Sequence, residues 1–208
     1  KYIVIVDYGL GNIRSAEQSL KKVVKENNLD AEIITTNNAK NIYLASHIVL
    51  PGQGSFAACM NGLKNIEGMI DALSQSVLIQ KKPFLGICIG MQLLATISYE
   101  NGIHTGLGWI EGEIRKIPQT GLKLPHMGWN EVSIEKENKL IKDEEEKNYY
   151  FVHSYYFECK STDNKIASTN YGLKFTSIVS KENIYGVQFH PEKSSNQGLR
   201  LVRNFINL

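Results

Sequence analysis

Three short apolar runs, each closed by a turn containing glycine, restrict this chain more than any other feature. Tyr2-Ile3-Val4-Ile5-Val6 stops at Asp7, ahead of Gly9 and Gly11. Ile48-Val49-Leu50 stops at Pro51-Gly52. Phe84-Leu85-Gly86-Ile87 stops at Cys88, ahead of Gly90. The runs are unbroken by polar residues and rich in branched side chains, as expected of strands covered on both faces. Helical spacing lies between them. Ile13, Ala16, Leu20, Val23 and Val24 fall on one face of a helix predicted from Ile13 to about Glu26, with Asn12 placed to cap it. A strand is predicted over Ala31 to Thr35, a helical stretch from about Glu67 to Gln80, and a helix from Met91 to Ile97. Alternating strands and helices imply crossover connections and a mostly parallel central sheet flanked by helices.

Beyond about Gly106 the pattern changes. Glu113–Ile117, Glu131–Ile134, Tyr149–Val152, Ile166–Thr169, Phe175–Val179 and Ile184–Gln188 read as strands joined by turns. Leu199, Val202, Phe205 and Ile206 close the chain as a helix. The expected fold is therefore α/β, with an antiparallel or mixed C-terminal part. No linker, repeat or low-complexity tract divides it, so residues 1–208 are expected to form one domain.

Composition narrows the function. The net charge is +2 over 208 residues, which implies neither a nucleic-acid nor a membrane partner. The mixed charge run from Lys142 to Lys147 reads as a solvated segment. The amino-terminal run breaks too early for a signal peptide, and no apolar run reaches membrane-spanning length. Three cysteines, Cys59, Cys88 and Cys159, form neither a disulfide framework nor a zinc-ligand spacing. The expected compartment is the cytoplasm, and no metal is expected.

One cysteine stands apart. Gly86-Ile87-Cys88-Ile89-Gly90 has the form of a strand-to-helix elbow, which exposes a nucleophile at the end of a strand. Glycines two positions to either side let neighbouring backbone come close. A helix starting near Gly90 would favour the thiolate, and the Ile89 amide would be placed to meet an oxyanion. Cys59 and Cys159 lack such a frame and read as structural.

A base is needed beside it. Of five histidines, His190 follows the strand ending at Gln188, and Glu192 stands two residues on, so the two side chains are expected to project together. His153 is the second candidate, although a hydrogen-bonded structural role suits it better. Pro51-Gly52-Gln53-Gly54 supplies a loop able to turn a peptide N–H towards an oxyanion.

Pro51-Gly52-Gln53-Gly54, Gly86-Ile87-Cys88-Ile89-Gly90-Met91-Gln92 and His190-Pro191-Glu192 together resemble the triad-type (class I) glutamine amidotransferases. Asp7-Tyr8-Gly9-Leu10-Gly11-Asn12, Pro125-His126-Met127-Gly128-Trp129-Asn130, the segment Tyr150 to Tyr156 and Phe189-His190-Pro191-Glu192-Lys193-Ser194 narrow the resemblance to the glutaminase subunits of imidazole glycerol phosphate synthases. The likeness runs from Tyr2 to about Phe205. It implies that Cys88 attacks the side-chain amide of glutamine, with His190 and Glu192 completing the triad and no cofactor. It places the oxyanion donors at Ile89 and the Gly52–Gln53 peptide. It places the glutamine pocket at Gln92, Glu100 and the backbone around Ser154 and Tyr155.

The resemblance also implies a heterodimer with a (β/α)8-barrel cyclase subunit, which uses the ammonia to make imidazole glycerol phosphate and AICAR from PRFAR in histidine biosynthesis. The partner face would include Asn12, Met127, Trp129, Tyr150 and Lys193. Gln53 stands where family members commonly carry a small apolar residue. Two other readings compete: a paralogous glutaminase serving a different synthetase, such as one of surface-sugar biosynthesis, and a non-catalytic assembly module. A protease or esterase built on a similar elbow is a weaker one.

Overall fold

The computed structural model describes residues 1–142 and 146–208. The centre of the charge run, 143–145, lies outside the described residues. The strands are β1 (Tyr2–Val6), β2 (Glu32–Thr36), β3 (His47–Gly52), β4 (Phe84–Cys88), β5 (Ile97–Ser98), β6 (His104–Thr105), β7 (Gly112–Lys116), β8 (His126–Glu131), β9 (Ser133–Ile134), β10 (Asn148–His153), β11 (Tyr155–Cys159), β12 (Lys165–Asn170), β13 (Lys174–Lys181) and β14 (Ile184–Val187). The helices are α1 (Ile13–Glu26), α2 (Ala39–Leu44), α3 (Phe56–Lys64), α4 (Met69–Ser74), α5 (Ile89–Gln92) and α6 (Ser195–Ile206).

The main sheet runs in the order β2-β1-β3-β4-β14-β13-β11-β7-β5-β6, with β12 beside β13. From β2 to β14 every neighbouring pair is parallel. At β14 the sheet changes character, because β14 is parallel to β4 but antiparallel to β13. This is the predicted α/β class with a mixed C-terminal part. Strands β8 and β10 form a separate antiparallel ribbon.

The apolar runs are covered on both faces, as their lack of alternation requires. Val49, Leu85 and Ile87 meet Ala16 and Leu20 of α1 and Val202 of α6. The alternate residues Ile48, Leu50 and Phe84 point the other way and are also fully buried. Among the described residues no helix is long and apolar enough to cross a membrane.

Several sequence expectations need correction. Asn12 precedes α1, but its side chain makes no capping hydrogen bond. The stretch from Glu67 to Gln80 is α4 followed by a π-helical segment, Gln75–Ile79. The helix predicted from Met91 to Ile97 stops after α5. The loop at 107–110 competes for its carbonyls: Leu107 N donates to Leu93 O, Gly108 N to Ala95 O and Ile110 N to Leu94 O. Ile97 and Ser98 then join β7 as a short strand. Helices α2 and α3 have weaker apolar signals and escaped the sequence reading. So did β11, whose aromatic run is continuous with β10 in the sequence. The strand expected at Glu131–Ile134 divides into the end of β8 and the short β9.

Candidate active site

Three adjacent parallel strands end side by side. In register, Gly52 at the end of β3 neighbours Cys88 at the end of β4, and Ile87 neighbours Val187 of β14. The loop, the cysteine and the segment leading to His190 therefore emerge at one edge, the carboxyl ends where open α/β sheets build their sites.

Cys88 sits at φ +56°, ψ −112°, a conformation uncommon for a side chain larger than glycine. The flanking glycines make that turn possible. A Cβ on Gly90 would collide with the Leu50 carbonyl oxygen, and one on Gly86 would lie 2.5 Å from Gly90 O. The cost of this strained turn is that nothing larger than hydrogen fits at either position. The helix that follows has only four residues. The expected stabilisation of a thiolate by a helix terminus is correspondingly slight, and polarisation of the sulfur falls to nearby side chains.

One of them is His190. It sits at the entry of a 3-10 turn, Pro191–Lys193, rather than in continuous extended chain. His190 N donates to Tyr150 O at 2.9 Å, and Ser194 Oγ donates to His190 O at 2.6 Å. These bonds fix the backbone. Glu192 Oε1 accepts from Nδ1 at 2.7 Å, and both side chains are buried. With Nδ1 held by Glu192, Nε2 is the ring nitrogen left to interact with Cys88. Burial alone would disfavour a charged ring. The hydrogen bonds and negative charge of Cys88 and Glu192 outweigh it and push the imidazole up to about 10.

A cavity of about 310 Å³ opens over Cys88 and His190. Gly52, Gln53, Ile89, Gln92, Glu100, Ser154 and Tyr155 line it, as do Asn12 and Lys193. The loop is held at two points: Tyr8 Oη donates to Pro51 O, and Cys59 Sγ donates to Gln53 O at 3.4 Å. Glu100 Oε2 accepts from Phe56 N at the start of α3 at 2.9 Å. Burial raises its carboxyl above the usual range, against the pull of that N–H. Gln92 is fully buried, and its Oε1 has no hydrogen-bond partner. The Tyr155 carbonyl is already occupied by Gln92 Nε2 and His153 Nδ1, so it is not free for a ligand.

The remaining predicted positions lie on the ribbon beside the cavity. Met127 and Trp129 are 62% and 53% exposed, which excludes a core role for either. Trp129 packs edge-on against Tyr150, its partner in register.

Two features were missed by sequence reasoning. Gln188 is fully buried and points its Nε2 at Cys88 Sγ from 3.7 Å. His126 and His153 form a buried pair, with His126 Nδ1 2.8 Å from His153 Nε2. Asn130 Nδ2 donates to His126 Nε2 at 3.1 Å, and His153 Nδ1 donates to Tyr155 O at 2.8 Å. Every ring nitrogen is thus satisfied with both histidines neutral. Burial agrees, pushing His126 down to about 4 and His153 to about 3. A signal for Gln188 existed in its position two residues before His190. The histidine pair depends on the register of β8 with β10, which no local pattern reports.

A Cys–His–Glu chain of contacts in a cavity next to glycine-rich backbone is suited to acyl transfer through a thioester. Comparisons with known proteins show the family. Residues 4–208 match the family model described as glutamine amidotransferase class-I. The imidazole glycerol phosphate synthase subunit HisH of Rhodospirillum rubrum is 43% identical, the alignment covering 98% of this chain and 97% of that one. The chain belongs to the class I glutamine amidotransferases, in the HisH family. HisH from Pelagibacter ubique is 43% identical over 99% of each chain. HisH 1 from Campylobacter jejuni is 44% identical over 99% of this chain and 100% of its own. A crystal structure of a glutamine amidotransferase superposes with a TM-score of 0.70 at 17% identity, covering 98% of this chain and 97% of that one. This class I amidotransferase therefore shares its fold with structures whose sequences have diverged widely.

Proposed function

We propose that this chain, as one domain over residues 1–208, hydrolyses glutamine to glutamate and ammonia as the glutaminase subunit of an imidazole glycerol phosphate synthase. The observation that carries the reading is that Cys88 and His190 line one cavity while Glu192, behind the ring, accepts from His190 Nδ1. In the proposed cycle the proton shared by Cys88 and His190 rests on His190 Nε2, and the sulfur attacks the amide carbon of glutamine. Ile89 N–H and the Gly52–Gln53 peptide stabilise the oxyanion. The C–N bond breaks, and ammonia leaves with the proton held by His190. Water then adds to the glutamyl thioester, giving its proton to His190, and glutamate departs as the sulfur leaves and the pair of charged His190 and Cys88 sulfur is restored. Glu192 holds the ring in one tautomer and stabilises its charged form.

Gln92, Glu100, Ser154 and Tyr155 are the proposed glutamine pocket. The free Oε1 of Gln92 suits an ammonium donor, as does the second oxygen of Glu100. Ammonia is mostly protonated in neutral water and is then no nucleophile, so direct transfer to a partner is chemically favoured. The proposed partner is a (β/α)8-barrel cyclase that makes imidazole glycerol phosphate and AICAR from PRFAR, forming a cytoplasmic heterodimer. Asn12, Met127, Trp129, Tyr150 and Lys193 are its proposed contacts. Support comes from the relatives' names and from the exposed Met127 and Trp129 beside the cavity mouth. The test is glutamine hydrolysis with and without the cyclase subunit and an analogue of its substrate. Strong stimulation is expected; equal rates would contradict the coupling.

A further inference from the structure

We infer that Gln188 is a further catalytic residue, one whose side-chain amide holds the sulfur of Cys88 as a thiolate and ties it to the glutamine pocket. The inference rests on the proposed role of Cys88 as nucleophile. Its basis is the direction of a chain of hydrogen bonds. The Tyr155 carbonyl oxygen can only accept, so the group facing it at 3.1 Å is the amide nitrogen of Gln92. The same nitrogen has a second hydrogen, and Gln188 Oε1 receives it at 3.0 Å. Gln188 must then turn its own nitrogen the other way, and there it meets Cys88 Sγ at 3.7 Å. A backbone carbonyl two side chains away thus decides that the sulfur sees a donor. Gln92 and Gln188 are both fully buried, so water cannot substitute for either link.

The donor opposes another contact. When protonated, Cys88 Sγ donates to Val152 O, also at 3.7 Å, and that carbonyl favours the protonated sulfur. A thiolate would lose this bond and be repelled by the oxygen. His190 receives the proton and leaves a cation on one side of the sulfur; the Gln188 N–H supplies a neutral donor on the other. No terminus of a long helix contributes, since α5 has four residues. Because Gln92 lines the cavity and has an unpartnered Oε1, a bound ammonium group there would polarise Gln92 and strengthen its donation to Gln188. Occupancy of the pocket is felt at the sulfur through two amides.

The experiment measures the rate of Cys88 alkylation by iodoacetamide against pH, read by peptide mass spectrometry, in the parent chain and in Gln188→Met and Gln188→Glu. Both variants keep the length of the side chain and remove the donor. The midpoint is expected to rise by about one pH unit, with alkylation at neutral pH about tenfold slower. An unchanged midpoint in a folded variant would overturn the role of Gln188. A second measurement needs no variant: the side-chain amide resonances of Gln188 should titrate with the same midpoint as Cys88 alkylation. Resonances that stay fixed through that range would also overturn it. A parent chain whose Cys88 is not alkylated at any pH would instead count against the nucleophile itself, which separates the two failures.

Discussion

Glu192 Oε1 lies 2.7 Å from Nδ1 of His190, two residues upstream, and the side chains of both are almost fully shielded from solvent. The contact commits the ring to one tautomer, with Nε2 towards Cys88. Replacing the carboxylate with an amide keeps the shape and removes the charge. Glu192→Gln is expected to lower kcat for glutamine hydrolysis by about 10²-fold or more, with little change in KM. Steady-state kinetics with the partner present checks this. An equal loss in kcat and gain in KM would point to a binding role instead.

The charged His190 also stabilises the fold. Its folded value of about 10 exceeds its ordinary 6.5, so the contribution is complete below pH 6.5 and is lost as pH rises through about 10. In Glu192→Gln one of the raising partners is gone. The alkaline limb of stability, followed by urea denaturation between pH 7 and 10, should be flatter than in the parent. Identical slopes would show that Glu192 does not support the charged ring.

Three other histidines act in the opposite sense. Burial pushes His47 and His126 down to about 4 and His153 to about 3, against an ordinary value of 6.5. The unfolded chain therefore binds more protons than the folded one as pH falls below 6.5, and stability drops. Each buried histidine contributes up to about 1.4 kcal/mol per pH unit in that window. The urea midpoint should fall clearly between pH 6.5 and 5. A midpoint that holds constant would mean that these rings are protonated in the folded chain.

The elbow tolerates no side chain at Gly90, where a Cβ would meet the carbonyl of Leu50 in the neighbouring strand. Gly90→Ala should destabilise the chain by about 1–3 kcal/mol, the range for overpacking in a rigid core. Thermal denaturation reports it. A melting temperature matching the parent would show that β3 and β4 separate more easily than their packing suggests.

The partner surface makes a separate prediction. Trp129→Ala removes an exposed aromatic that packs against Tyr150 and touches neither Cys88 nor His190. It should weaken cyclase binding by about 2 kcal/mol or more, the scale of an interfacial anchor. Calorimetric titration of one subunit into the other decides it, and unchanged affinity would remove Trp129 from the interface.

How much of this was legible in the sequence follows from how local each feature is. Cys88 was readable because its two glycines announce a strained turn. His190 and Glu192 were readable because they are neighbours in the chain. The first half of the sheet was readable because its strands carry unalternated apolar runs. The His126–His153 pair was not, because it depends on the register of β8 with β10; Gln188 was hinted at by its place two residues before His190, but its contact with Cys88 depends on the register of β14 with β4. The length of α5 was misjudged for a related reason. Apolar spacing continues to Ile97, but the carbonyls of Leu93, Leu94 and Ala95 are claimed by a loop beyond the reach of any local window.

The most direct test of the central claim is labelling with a glutamine-like electrophile in the presence of the cyclase subunit. One equivalent should bind, mapped to Cys88, with hydrolysis lost in proportion and protection by glutamine. Full hydrolysis with Cys88 labelled, or complete inhibition with the label elsewhere, would contradict the claim.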